Sequence, residues 1–165
     1  MPDAVIPAEG WGVLHLFFKV DHAAVAELPP GAGKELADAL TGLAGEVQLH
    51  CFAALGHKAD LMVMALDEDL TALRRVQTAI ASSSAAPALR LDWSYLSLTE
   101  TSEYTATPEQ YREEMSAKGV EGEDLDRRVA EFAERMATYN EHKLHPAMPA
   151  WELACFYPMS HRREG

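Results

Sequence analysis

The sequence predicts an α+β chain in which four antiparallel strands carry two helices on one face. Three observations predict it: apolar residues alternate in four separated runs, amphipathic stretches at helical spacing lie between them, and turn-forming clusters punctuate the junctions. The resulting order is β-α-β-β-α-β, complete by about Tyr104.

The first run is Trp11 to Val20, WGVLHLFFKV, with Leu14, Leu16, Phe18 and Val20 on an apolar face and Val13, His15, Phe17 and Lys19 on a mixed one. The turn-rich stretch Leu28-Pro29-Pro30-Gly31 follows, and then Leu36, Leu40 and Leu43 mark a short helix that ends near Gly45. Val47, Leu49, Cys51, Ala53 and Leu55 alternate as the second strand, and after Gly56-His57-Lys58 the run from Leu61 to Leu66 is the third. Asp67, Glu68 and Asp69 put acids at a helix N-terminus, and Leu70, Leu73, Val76 and Ile80 continue on one face of that helix until Ser82-Ser83-Ser84 closes it. The fourth strand starts with Leu89, Leu91, Trp93 and Tyr95 in phase. Its apolar positions then shift to Leu96 and Leu98, which predicts a bulge or a strong twist after Tyr95. This is the ferredoxin-like arrangement, of the dimeric α+β barrel type, over residues 1–106.

A helical connector is expected over 107–150. Thr107-Pro108-Glu109-Gln110 combines an N-cap, a proline at the first helical position and a capping-box Gln, opening a helix with Tyr111 and Met115 that stops at Gly119. A second helix, from about Asp124 to Tyr139, aligns Leu125, Val129, Phe132 and Met136, and Pro146 and Pro149 break the pattern. Both helices can pack on their own sheet or on a neighbour. Residues 151–165 return to alternation, with Trp151, Leu153, Cys155, Tyr157, Met159 and His161 on one face, and predict the first strand of an incomplete second domain of the same type.

Composition narrows the function classes. The 165 residues hold 14 Lys+Arg against 26 Asp+Glu, a formal charge of −12, which argues against a nucleic-acid partner. No secretory signal, transit peptide or bilayer-spanning run is visible, so a cytoplasmic protein without a membrane partner is expected. Cys51 and Cys155, each in an apolar alternating run, are expected to be buried reduced thiols.

Common catalytic signatures are missing: there is no C-x-x-C, H-E-x-x-H or G-x-S-x-G. Gly33-Lys34 is not a P-loop, because Leu28 and Glu35 stand where Walker A needs glycine and Ser or Thr. His15, His50 and His57 lie on separate elements and are expected to be satisfied strand or turn histidines; His142 and His145 share a spacing but meet Pro146. The last segment is richer. A phenol, a thioether and an imidazole share one wall, Pro158 makes that part an edge, bulge or loop, and Lys143, Arg162 and Arg163 supply cations for carboxylates.

Lys143-Leu144-His145-Pro146, Trp151-Glu152 and the run from Cys155 to Arg163, CFYPMSHRR, resemble the chlorite dismutase-like haem proteins, and within them the coproheme decarboxylases. Trp11 to Val20, His57 to Met62 and Ser97 to Tyr104 resemble the same family, so that the similarity covers nearly the whole chain. The resemblance implies two ferredoxin-like domains in tandem, a homopentamer, and a tetrapyrrole bound mainly by the second domain. It also implies hydrogen-peroxide-dependent decarboxylation of two propionates of iron-coproporphyrin III to give haem b. Tyr157 matches the catalytic tyrosine that is oxidised to a radical, Met159, Ser160 and His161 match substrate-lining positions, and Lys143 matches a propionate partner. Lys143 stands where arginine is usual, which loses the bidentate fork, and His161 stands where lysine is common in one branch. No histidine of this chain matches the axial iron ligand, which the resemblance puts after Gly165, so no residue here is expected to bind the metal. Two other readings are a non-catalytic ferredoxin-like assembly module and a chlorite dismutase-type or peroxidase-type haem protein.

Overall fold

Strand pairing organises the chain. The computed structural model describes residues 4–101, 105–150 and 152–157. It contains β1 (Gly12–Val20), α1 (His22–Glu27), α2 (Ala32–Leu43), β2 (Gln48–Ala53), β3 (Leu61–Asp67), α3 (Leu70–Ala81), a 3-10 turn (Ala86–Ala88), β4 (Leu89–Leu98), α4 (Pro108–Ala117) and α5 (Gly122–Leu144). The strands form one antiparallel sheet in the order β2-β3-β1-β4, the ferredoxin-like topology expected from the element order.

One face of the sheet carries the core. Leu14, Leu16 and Phe18 of β1 and Val63 and Ala65 of β3 meet Leu36 and Leu40 of α2 and Leu73, Val76 and Ile80 of α3. Asp69 caps α3 by accepting from Thr71 N at 2.8 Å, and the same Oδ1 accepts from Val5 N at 2.9 Å, so the cap also ties down the N-terminal segment. The Thr71 hydroxyl, the Val5 amide and the Thr71 amide hold the Asp69 carboxyl below the ordinary carboxylate range.

The structure departs from the sequence reading in four places. Helix α1 is additional: Asp21 Oδ1 accepts from Ala23 N at 2.9 Å and Ala24 N at 3.1 Å, a local cap that the following Pro-Pro turn obscured. Second, the bulge in β4 lies earlier than expected. Phe17 pairs with Trp93 but Phe18 pairs with Leu91, which leaves Asp92 as the extra residue. Leu89 and Leu91 therefore share the helix-covered face with Val20 and Phe18, whereas Trp93 and Tyr95 share the opposite face with Phe17 and His15. Third, Cys51 and Cys155 are free but exposed rather than buried, because β2 is an edge strand and residues 152–157 lie on the surface. Fourth, Glu152 to Tyr157 forms no strand among the described residues, while the rest of the expected strand, Trp151 and residues 158–165, lies outside them.

α4 and α5 pack on each other. Tyr111 stacks on Phe132 with ring centroids 4.2 Å apart, Arg112 pairs with Asp126 at 2.8 Å, and Met115 and Leu125 are buried between them. The capping box at Thr107 forms as expected, and α5 runs beyond Tyr139 to Leu144 because His142 and Lys143 suit a helix C-terminus. No helix among the described residues is long and apolar enough to cross a membrane.

Candidate functional site

The sheet face opposite the helices is built from rows of cross-strand neighbours. One row runs His50, Met64, His15, Tyr95 across β2, β3, β1 and β4, and the next runs Phe52, Met62, Phe17, Trp93. Neighbours in a row stand on strands about 4.8 Å apart, so the topology brings together side chains distant in sequence. His15 and His50, expected to be unrelated, occupy one row with Met64 between them.

The chain leaving α5 crosses this face as a strap. Thr99 Oγ1 donates to the Leu144 carbonyl at 2.6 Å and accepts from Trp11 N at 2.7 Å, fixing the end of α5 to the sheet. The Gln48 side-chain amide then grips the strap from both sides, donating to Pro146 O at 3.0 Å and accepting from Met148 N at 2.7 Å. Beyond it, Phe156 inserts among the two rows, 4.3 Å from the His15 ring centroid, 5.4 Å from Phe17, 5.9 Å from Trp93 and 6.2 Å from Tyr95. Phe156 belongs to the parity opposite the predicted wall. Tyr157, next to it, is left 65% exposed.

Between strap and sheet lies a groove of about 290 Å³ with His15, His50, Met62 and Met64 on its floor and Met148 and Cys155 on its roof. His15 is 5% exposed, and its Nδ1 is buried with no hydrogen-bond partner, so the expectation of a satisfied histidine fails for this ring. Burial lowers the His15 pKa from its ordinary value. The ring is therefore neutral in the fold, while the unfolded chain takes up a proton near pH 6.5. Because the unfolded state binds more protons below that pH, stability falls as pH drops through about 6.5 towards the lower folded pKa. Thermal melts at successive pH values should show that fall above the range where carboxylates titrate, and His15→Phe should remove it.

A second cleft, about 700 Å³, lies at the other end of β1 and is lined by Lys19, His22, Asp60 and Arg90. Although it is larger, its charges are already partnered: Lys19 pairs with Asp60 at 3.0 Å and Arg90 with Asp92 at 3.1 Å. The Val20 amide and Lys19 hold the Asp60 carboxyl below its usual range. This arrangement closes a strand end rather than opening a ligand site.

Of the residues singled out in the sequence, Lys143 and Tyr157 are described and Met159, Ser160 and His161 lie outside the described residues. Lys143 is half-buried in the last turn of α5, and Tyr157 is the last described residue of the strap. Neither lines the groove. The groove is smaller than the cavities of about 300–1,000 Å³ that hold drug-sized ligands, and no cation lines it to meet carboxylates. The described residues thus place a phenol and an ammonium outside the groove and do not enclose a tetrapyrrole-sized cavity. Phe156 and the His15-Met64-His50 row were missed in the sequence; the alternation of β1 contained His15, but the row exists only once three strands are in register.

Comparison with known proteins gives one consistent answer. A family model described as chlorite dismutase matches residues 31–164. A Haloarcula marismortui protein named "Putative heme-binding protein" is 32% identical over 94% of this chain and 23% of its own length. The coproheme decarboxylase of Oceanobacillus iheyensis is 26% identical over 99% of this chain and 61% of its own length. This chain therefore spans less than two thirds of either relative. A mutant chlorite dismutase from Candidatus Nitrospira defluvii shares the fold, with a TM-score of 0.53 at 17% identity over 83% of this chain and 68% of that one.

Proposed function

This chain belongs to the chlorite dismutase family, and we propose that it takes part in peroxide-dependent decarboxylation of iron-coproporphyrin III, presenting Tyr157 as the redox-active phenol and Lys143 as a carboxylate partner. Met159, Ser160 and His161 are assigned to the same substrate surface, and the remaining contacts come from outside the described residues, including other copies of the chain. The observation that carries the reading is the seating of Phe156. An apolar anchor pressed into the sheet fixes the backbone next to it, and the neighbouring phenol is held outward with its hydroxyl making no hydrogen bond to the described residues. A phenol so presented can give up a hydrogen atom to an oxidant and take one from a bound side chain without breaking a structural contact. Lys143 keeps its ammonium out of ion pairs with described residues, which leaves it available to a propionate.

The test is a titration of the 165-residue chain with iron-coproporphyrin III and, separately, haem b, followed at the Soret band. A saturable shift with iron-coproporphyrin III, then loss of two carboxyl groups by mass spectrometry on adding hydrogen peroxide, is expected. No Soret change in a chain that circular dichroism shows to be folded would overturn the reading and leave an assembly module. Chlorite consumption by the haem b form without decarboxylation would overturn it in favour of a chlorite dismutase-type activity.

A further inference from the structure

The groove beneath the strap has a donor set that the tetrapyrrole reading does not use. Its floor holds two imidazoles, His15 and His50, and two thioethers, Met62 and Met64; its roof holds the Met148 thioether and the Cys155 thiol. Six of the eleven lining side chains thus end in nitrogen or sulfur ligands, and none is a carboxylate. We propose that this groove binds a soft monovalent metal ion, Cu(I), with His15, Met64 and His50 as the central ligands and Met148 closing the site from the strap.

Register supplies the geometry. Met64 pairs directly with His15 on one side and with His50 on the other, so its flexible side chain stands one strand spacing, about 4.8 Å, from each imidazole-bearing strand on the same face. The orphaned Nδ1 of His15 supplies the independent sign of a ligand: an unpaired buried nitrogen is costly, a penalty that coordination removes. Hard cations such as Mg²⁺ and Ca²⁺ need oxygen ligands that the lining lacks. Zinc is disfavoured for a different reason. Among the described residues no three His, Cys, Asp or Glu side chains converge, so a zinc ion would have to rely on thioethers, which are ligands suited to Cu(I). The space of about 290 Å³ between these side chains admits a single ion and lies below the range of cavities that hold drug-sized ligands.

The experiment is an anaerobic titration of the tetrapyrrole-free chain with Cu(I) in competition with bathocuproine disulfonate, so that its outcome is independent of the function proposed above. One equivalent should be withdrawn from the chelator. Met64→Leu, which conserves volume and so preserves the fold, should weaken retention at least about tenfold. Cys51→Ser should leave it unchanged, because Cys51 pairs with Val63 and lies on the helix-covered side. Selective ¹³C-methyl labelling of methionine gives a second readout: Ag(I), a closed-shell substitute, should shift the Met64 methyl resonance. Failure to withdraw one equivalent, equal retention by Met64→Leu, or displacement of Cu(I) by an equimolar amount of Zn²⁺ would each overturn the assignment.

Discussion

Tyr157→Phe is expected to reduce peroxide-dependent propionate conversion at least about a hundredfold while leaving the melting temperature of the chain unchanged. The two halves of that result come from the same geometry. Tyr157 is 65% exposed, and its hydroxyl bonds to none of the described residues, so deleting the oxygen removes no interaction that supports the fold. Surface substitutions of this kind usually stay within about 0.5 kcal/mol. Phenylalanine retains the ring and the backbone placement set by Phe156, but it has no O–H bond to break. An activity assay and a thermal melt on the same preparation check both halves: conversion that persists in Tyr157→Phe removes Tyr157 from the reaction, and a lowered melting temperature would mean that the phenol has a structural role.

Leu16→Ala is expected to have the largest effect on stability, a loss of about 3–5 kcal/mol. Leu16 has 0% exposure at the centre of β1, with Val63 and Ser94 beside it on the sheet and the apolar faces of α2 and α3 above it. Truncation removes buried methyl groups and leaves a void that two helices and two flanking strands cannot close, which is why the transfer and cavity terms add. Against a total of about 5–15 kcal/mol for a domain, this is a large fraction. Leu96→Ala is the control, since Leu96 is paired with Leu14 on the same face yet is mostly exposed, and it should cost less than about 1 kcal/mol. Urea unfolding checks the pair: Leu16→Ala should lower the midpoint with the slope unchanged.

Much of the fold is legible in the sequence because local rules and the tertiary outcome agree. Leu14, Leu16 and Phe18 alternate in β1 and meet the core, the spacing of Leu73, Val76 and Ile80 matches the buried face of α3, and Thr107 forms the capping box that its neighbours encode. The misses follow from information that is not local. The alternation of Leu91, Trp93 and Tyr95 along β4 points to a bulge after Tyr95; only pairing with Phe17 and Phe18 reveals that the parity breaks at Asp92. Cys51 read as buried because apolar neighbours flank it, but position at the sheet edge exposes it. The candidate site divides in the same way. Tyr157 and Lys143 could be singled out along the chain, whereas the His15-Met64-His50 row depends on three strands coming into register and Phe156 on the strap folding back.

The extra residue at Asp92 also constrains how β4 can change. Because it switches the pleat midway, the strand is two half-strands with opposite assignments, Leu89 and Leu91 feeding the helical layer and Trp93 and Tyr95 feeding the layer under the strap. Point substitutions in either half are local events. A one-residue deletion or insertion in the strand is not, since it would exchange the two layers for everything downstream, turning indole and phenol rings towards the helices and leucines towards Phe156. Length in β4 is therefore under tighter constraint than composition, and lineages of this domain should accommodate insertions and deletions in the loops around it rather than within it.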